Sequence, residues 1–322
     1  MMPPCGSRGH RRPHASASVV YDRVVLLLGT THHLEDLDRQ FTIAEDLSVG
    51  AIAVAGGAGA PSAYVLADGD RIARVDELEL APVAVLGNGK AQSLAATGGG
   101  LLVGLEGAQL AQLSLTGGGL SPVESFAAVP GRATWENPAA ATPDLRSLAV
   151  TPTGTWLVNV HVGGVWRSTD TGRTWTNVVP PDDDVHEVVA GGAGVVVAAA
   201  ARGFGWSVDD GMTWQWTTDG LHAPYCRAVA GAGDRAFVTA STGPRSRDGR
   251  VFAGRLGGSF TVCRGGLPES FPYNLDTGTL AASGDEVAVG TPDGLVWRSR
   301  DGGESFGTVT ERVGHVRVLR FG

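Results

Sequence analysis

One eight-residue pattern recurs in this chain and limits what the chain can fold into. The pattern reads Ser-x-Asp-x-Gly-x-Thr/Ser-Trp/Phe, with intact copies at 168–175, 207–214 and 299–306. The first two copies lie 39 residues apart and the last two 92 apart, so a further copy is expected midway. A degenerate copy is found there, at 253–260, in which Arg255 replaces the aspartate. A recurring unit of about 40 residues is typical of repeat architectures, in which each unit packs on its neighbours.

The chemistry of the pattern is that of a tight turn between two strands. Glycine supplies the positive φ that such turns need, and the aspartate carboxylate accepts hydrogen bonds from backbone amides that would otherwise be unpaired. The terminal Trp or Phe begins the next strand and buries a large apolar surface. We therefore interpret the repeated residues as structural; they are Ser168, Asp170, Gly172, Trp175, Ser207, Asp209, Gly211, Trp214, Ser299, Asp301, Gly303 and Phe306.

The pattern resembles the Asp box, also called the bacterial neuraminidase repeat, and its four copies cover about residues 144–310. The resemblance implies a sialidase-like β-propeller, in which small antiparallel sheets called blades surround a central channel. Short strands separated by Gly-rich turns agree with that fold. Around the first copy they are predicted at Leu145–Val150, Trp156–Val160 and Val165–Ser168.

Counting such units along the chain gives seven blades, with six or eight as the alternatives. Their predicted bounds are 19–47, 48–89, 90–143, 144–184, 185–221, 222–272 and 273–312. The first unit lacks an innermost strand, whereas 315–321 forms an isolated strand at the other end of the chain. Pairing the two would close the ring and remove two sheet edges. We predict an all-β fold, a single seven-bladed β-propeller over 19–322, preceded by a disordered basic tail over 1–18.

Composition excludes several classes of protein. The net charge is −8 and no basic patch is visible outside the tail, which disfavours a nucleic-acid binder. No apolar stretch approaches the ~20 residues that span a bilayer, and no signal peptide is recognisable, so we expect a soluble, cytoplasmic monomer. The three cysteines have no metal-site or framework spacing, which leaves a Cys226–Cys263 disulfide open. No cofactor is predicted.

Polar residues collect in the loops at one predicted mouth of the channel, where propellers usually meet ligands. These ligand-binding candidates are His32, His33, Arg146, His161, His186, Arg202, His222, Tyr225, Arg227, Tyr273 and His315. Six of the eight histidines fall on this face. No HExxH or H-x-x-x-H spacing is present, so we predict no metal site and favour a metal-free binding funnel; a histidine-lined metal site is the alternative.

The resemblance to sialidases implies an arginine cluster that grips a carboxylate, a tyrosine nucleophile with a glutamate partner, an acidic aspartate, and an Arg-Ile-Pro motif. Here Arg71-Ile72 is followed by Ala73, and most of that set cannot be placed. An anion clamp is one expectation, formed by Arg146, Arg202 and Arg227. Similarity to xyloglucan-type hydrolases would require two carboxylates across a cleft, and the candidates are Asp184, Glu187 and Asp276.

The repeat is also similar to that of non-enzymatic propellers, namely photosystem assembly factors and sortilin-type receptors. That similarity implies a rigid disc that binds a protein or a small ligand. Because no catalytic signature is found, we favour a non-catalytic binding or scaffolding propeller that recognises a protein, small-molecule or carbohydrate ligand at the central funnel. The alternative is a glycoside hydrolase or lyase of the sialidase-like type.

Overall fold

The computed structural model describes residues 25–56, 61–87, 89–138, 140–311 and 313–322. The predicted tail, residues 1–18, lies outside the described residues. The rest forms seven four-stranded antiparallel sheets arranged in a ring, which confirms the predicted seven-bladed propeller. No helix in these segments is long and apolar enough to cross a membrane.

From the channel outwards, the strands of each blade follow the order of the chain, except that the innermost strand of blade 1 is the last strand of the chain. Blades 1 to 3 contain β1 (Leu26–Thr30), β2 (His33–Asp36), β3 (Phe41–Glu45), β4 (Val49–Ala55), β5 (Ser62–Ala67), β6 (Arg71–Asp76), β7 (Glu79–Val85), β8 (Ala91–Ala96), β9 (Gly100–Leu105), β10 (Gln109–Ser114) and β11 (Leu120–Pro122). A single turn of helix, α1 (Glu124–Ala127), follows.

Blades 4 to 7 keep the same order. They contain β12 (Leu145–Val150), β13 (Trp156–Val160), β14 (Gly164–Ser168), β15 (Thr176–Val179), β16 (Val185–Ala190), β17 (Val196–Ala200), β18 (Gly203–Ser207), β19 (Gln215–Thr217), β20 (Tyr225–Ala232), β21 (Arg235–Ser241), β22 (Arg250–Arg255), β23 (Thr261–Val262), β24 (Leu280–Ser283), β25 (Glu286–Gly290), β26 (Val296–Ser299) and β27 (Gly307–Thr308). The last strand is β28 (Val316–Phe321).

The ring closes through the C-terminal strand. Strand β28 is the innermost strand of blade 1 and pairs antiparallel with β1, with Leu28 opposite Leu319. Both leucines are fully buried, in a cluster that includes Ala288 and Val296 of blade 7. The predicted closure is therefore confirmed, and β28 also joins the last blade to the first.

The hydrophobic core is divided among the interfaces between blades. Seven buried clusters are found in the described chain, and each contains residues from two neighbouring blades. Strands are buried on both faces as a result, as in Leu157 and Val158 of β13, which both have no exposed surface. Each blade thus depends on the two beside it, as expected for a repeat protein.

The repeated turns hold their shape through one aspartate each, as blade 5 illustrates. Oδ1 of Asp209 accepts hydrogen bonds from the backbone amides of Met212 (3.1 Å) and Thr213 (2.9 Å), and Oδ2 accepts one from the Thr213 hydroxyl. The Ser207 hydroxyl donates to Asp209 and accepts from the amide of Gly211. These bonds, the Thr213 amide foremost, lower the pKa of Asp209 to about 2. Asp170 and Asp301 make the same contacts in blades 4 and 7.

Glycine is required in this turn for two reasons. Gly211 has a φ of +78°, and a Cβ there would lie 2.8 Å from Leu157 in the preceding blade. The degenerate turn in blade 6 keeps Gly257 at a φ of +76°. It replaces the carboxylate contacts with a backbone bond from Gly258 to Arg255 and an exposed ion pair between Arg255 and Asp234.

The two described cysteines are not joined. Cys226 and Cys263 are both buried free thiols, and burial raises the pKa of each to about 12. Cys226 packs between blades 5 and 6 and Cys263 between blades 6 and 7, so each serves as a small core residue.

We expect Asp209→Ala to destabilise the protein by about 1–2 kcal/mol, comparable with loss of a capping side chain, because two backbone amides lose their acceptor. Thermal denaturation measures the change. Because folding lowers the pKa of Asp209, its contribution should be full above its unfolded pKa of about 3.9 and be lost as the pH falls through about 2. The matched control is Asp234→Ala, which removes only an exposed ion pair. Equal effects of the two substitutions would contradict this role.

Closure of the ring by β28 predicts that two substitutions in this strand have different effects on stability. Leu319→Ala removes a fully buried side chain and should cost about 2–5 kcal/mol. Arg317→Ala changes an exposed residue of the same strand and should stay within about 0.5 kcal/mol. Urea denaturation of both variants provides the comparison, and a Leu319→Ala protein as stable as wild type would argue against closure by this strand.

Candidate functional site

The innermost strands of blades 2 to 6 share a β-bulge close to the point where they enter the sheet. The strand register shifts at Gly50, Gln92, Arg146, His186 and Arg227. A bulge inserts one extra residue and redirects a side chain out of the regular alternation. In blades 4 to 6 this residue is Arg or His, so three polar side chains gather at one mouth of the channel.

Two of the arginines share one carboxylate. Asp276 lies in the connection from blade 6 to blade 7; its Oδ1 accepts from Nη2 of Arg146 (3.0 Å) and its Oδ2 from Nη1 of Arg227 (2.8 Å). Nε of Arg146 donates to the hydroxyl of Thr277 at 3.1 Å. Burial raises the pKa of Asp276, but the charges of Arg227 and Arg146 outweigh this effect and hold it below its usual range. The carboxylate is therefore ionised at neutral pH.

Two histidines flank a second carboxylate. Nε2 of His186 lies 3.4 Å from Oδ2 of Asp184, and Nε2 of His161 lies 3.8 Å from Oδ1 of the same residue. The approach of His186 lowers the pKa of Asp184. Nε2 of His161 is also 3.1 Å from Nη1 of Arg146, which joins this group to the Asp276 pair. The ring of Tyr225 packs on His186 with centroids 4.8 Å apart.

The segment from Asp276 to Gly278 crosses the mouth of the channel. It starts beside blade 6, yet Asp276 reaches Arg146 in blade 4, and Thr277 donates to the carbonyl of His186 in blade 5. The segment itself lines a cavity of about 770 Å³, together with described residues of every blade except the sixth. The segment therefore separates blade 6 from the open part of the channel.

Glu187 anchors this segment from below. Its Oε1 accepts from the amide of Gly278 at 3.0 Å and its Oε2 from the amide of Val229 at 2.9 Å, so it links blades 5, 6 and 7. Burial raises its pKa to about 7. Because backbone amides occupy both oxygens, its role in the geometry is to tie the three blades together.

The structure brings together about half of the predicted ligand-binding residues. Arg146, His161, His186, Tyr225 and Arg227 form one group, which we call the mouth cluster together with Asp184 and Asp276. His315 lines the cavity but not this cluster. The other candidates have separate partners.

Of the three arginines expected to form the clamp, Arg202 makes other contacts. Arg202 lies instead in an exposed pair with Asp183 and over the ring of Trp216. Arg146 and Arg227 do converge, but the anion between them is Asp276 of the same chain. Asp276 therefore occupies the position between the two arginines that an anionic ligand would take.

Four further candidates lie away from the mouth cluster. His222 stacks on Phe252 of β22 and faces Asp248 at 3.5 Å. The hydroxyl of Tyr273 donates to Asp293. In blade 1, His33 approaches Glu35 at 3.6 Å, and the backbone of neighbouring His32 donates to Thr30.

Sequence reasoning missed Asp144 and Thr277. Oδ1 of Asp144 lies 3.4 Å from Nδ1 of His161, and Thr277 contacts Arg146. A signal for Asp144 existed: it precedes Arg146 by two residues, as Asp184 precedes His186. The same offset from the bulge in two adjacent blades places both carboxylates at the channel mouth.

Comparisons with known proteins support the architecture. No known protein-family profile matches the chain, and no curated protein matches it in sequence. The structure of YCF48 bound to a D1 peptide superposes with a TM-score of 0.55 at 14% identity, covering 89% of this chain and 86% of the other. The RRP9 WD40 repeats give 0.61 at 14% identity, covering 86% and 84%. The Niastella koreensis GH74 enzyme gives 0.56 at 17%, covering 87% of this chain but 46% of the enzyme. At these identities the likeness concerns the fold alone.

The internal anion predicts a rescue experiment. Asp276→Ala leaves two largely buried guanidinium groups without their carboxylate, and should cost about 1–3 kcal/mol in unfolding free energy. Sulfate should restore part of this stability, because an oxyanion can bridge the same two arginines. The measurement is the Tm of wild type and variant with sodium sulfate against sodium chloride at equal ionic strength. Equal responses of both proteins to sulfate would contradict the proposed geometry.

Proposed function

We propose that this chain is a non-catalytic binding propeller that holds a segment of another protein at the mouth cluster. The observation that carries the proposal is the fixed arrangement of Arg146 and Asp276 in the lining of an open cavity, with Arg227 paired to the same carboxylate. The fold places charges of both signs there and orients them before a ligand arrives. Such preorganisation reduces the entropy lost on binding.

The cluster retains groups that a polypeptide can use. The side chain of Arg227 is 20% exposed and contacts Asp276 through Nη1, while its buried Nε has no hydrogen-bond partner. The side chain of Asp276 is 47% exposed, so it can still accept bonds from a ligand. The guanidinium of Arg227 lies 5.6 Å from the ring of Tyr225, which adds an apolar contact surface beside the charges. A peptide offers carbonyls, amides and side chains to all three.

A carbohydrate-cleaving role has less support. A glycosidase needs a carboxylic acid that is protonated at working pH, but the pKa values of Asp184 and Asp276 are both lowered. Glu187 has a suitable pKa, but backbone amides bind both of its oxygens. Among the described residues, the cavity lining contains no Trp, Tyr or Phe to stack on a sugar ring. These features favour binding over hydrolysis.

The comparisons agree with this choice at the level of fold. YCF48 is a propeller of this architecture whose structure includes a bound peptide, and RRP9 is a WD40-repeat protein. The GH74 enzyme is about twice the length of the region that this chain matches. We infer that the repeated turns belong to the Asp-box type and support the disc, while the loops at the mouth provide recognition.

Selection from a random peptide library tests the proposal directly. We expect peptides that bind the wild-type protein and lose at least about tenfold in affinity to Arg227→Ala, because charge-assisted bonds to arginine are worth about 1.5–3 kcal/mol. The matched control is Arg202→Ala, an arginine outside the cluster, which should bind within about twofold of wild type. Binding that depends on Arg202 and not on Arg227 would place the site elsewhere.

The wild-type protein and two further variants, Asp184→Ala and Arg146→Ala, test the alternative. A panel of chromogenic glycosides and polysaccharides should show no turnover by the wild-type chain. Hydrolysis that disappears in Asp184→Ala or Arg146→Ala would overturn the binding proposal and establish a glycosidase.

A further inference from the structure

The mouth cluster contains three metal-ligating side chains that the binding proposal does not use as a group. His161, Asp184 and His186 each present one ligand atom within 4.8 Å of the other two. They come from two adjacent blades: His161 follows β13, Asp184 immediately precedes β16, and His186 is the bulge residue of β16. Neither histidine is near the other in sequence, which explains why no spacing motif announces the group.

The protonation pattern around His186 leaves an unsatisfied buried atom. Its side chain is 1% exposed, and Nδ1 lies 2.6 Å from the carbonyl of Cys226, so Nδ1 carries the hydrogen and donates it. Nε2 faces Asp184 and makes no hydrogen bond of good geometry. Oδ1 of Asp184 is likewise buried without one. With a neutral imidazole, the Nε2 lone pair and the carboxylate face each other at 3.4 Å, an arrangement that a cation between them would satisfy.

His161 completes the donor set. Its Nδ1 faces Asp144 at 3.4 Å, which directs Nε2 towards Asp184 and Arg146. Both histidines thus have an oxygen partner on Nδ1, a carboxylate for His161 and a carbonyl for His186. Oxygen partners at this position fix the tautomer and orientation of histidines that bind metal ions through the other nitrogen.

The spacing suits a transition-metal ion. Ligand atoms about 2.0–2.1 Å from a tetrahedral ion lie about 3.4 Å from one another. Here His186 lies 3.4 Å from Oδ2 of Asp184 and His161 lies 3.8 Å from Oδ1, and one ligand atom from each residue lies within 4.8 Å of the others, so a small closing movement brings the three to an ion. Two imidazoles and one carboxylate favour zinc over calcium or magnesium, which prefer oxygen ligands. Asp184 is 31% exposed, so an ion can enter and keep one position for water or a ligand.

One neighbour opposes the ion. Nη1 of Arg146 lies 3.1 Å from Nε2 of His161 and donates to the lone pair that a metal would use. Arg146 is held by Asp276 and Thr277 through its other nitrogens, so it can lose this bond without losing its place. Its charge nonetheless weakens cation binding, which gives the site a testable signature.

We propose that His161, Asp184 and His186 bind one zinc ion at the channel mouth, with Asp144 as a positioning residue for His161. The site goes beyond the binding function above and does not require it. Zinc would add a Lewis-acidic contact point, with an open coordination position, beside the two arginines.

Isothermal titration of the metal-stripped full chain with zinc chloride tests the site. We expect one equivalent bound by wild type at micromolar or tighter affinity. Asp184→Asn should bind at least about 100-fold more weakly, and Asn suits the left-handed backbone at this position (φ 44°), so the fold is retained. Asp144→Asn should lose about 10–100-fold, as for partners of metal-bound histidines. His222→Gln, from an isolated His–Asp pair, should match wild type.

Arg146→Met distinguishes this proposal from the peptide-binding one. It should tighten zinc binding by about tenfold, because an opposing charge is removed, and weaken peptide binding in the same preparation. Visible absorption of the cobalt-substituted protein provides a second readout, with bands of four- or five-coordinate cobalt in wild type and none in His161→Ala. Absence of zinc binding by wild type, or equal binding by folded Asp184→Asn, would overturn the site.

Discussion

The pairing of β28 with β1 is the interaction on which the rest of the molecule depends. Each hydrophobic cluster lies between two blades, so no blade has a complete core by itself. An open ring would leave two blades with one uncovered face and two exposed sheet edges. A single strand from the end of the chain pairs with β1 and packs against blade 7, so it closes the ring.

Much of this architecture could be predicted from the sequence, because it depends on local chemistry repeated at a regular interval. The turns around Asp170, Asp209 and Asp301 can each be recognised from their own residues, and the interval between them indicates the number of blades. The strand at 315–321, near the end of the chain, had no adjacent strand to pair with, and blade 1, near its start, had no innermost strand. Strand β2 (His33–Asp36) was missed because four residues beside a polar turn carry no clear alternation.

The site was harder to predict because its defining contacts join distant parts of the chain. Arg146 and Asp276 are brought together only by ring geometry, and no local pattern in the sequence reports that contact. Arg202 was grouped with the other arginines because it follows a strand on the same face, but a strand end does not reveal where a long side chain turns. The bulges redirect Arg146, His186 and Arg227 inwards, and their offset from Asp144 and Asp184 was the one usable clue.

The segment that carries Asp276 affects how a ligand can enter the channel. Propellers are often drawn with rotational symmetry, so that every blade contributes equally to the central channel. Here the segment 276–278 lies across one end of the channel, held by a hydrogen bond to Glu187, and it screens the inner edge of blade 6. A ligand that enters the cavity therefore contacts the blades other than the sixth, and it meets Arg146 and Asp276 in the lining. The mouth of the channel is therefore asymmetric, with one part covered and the rest open.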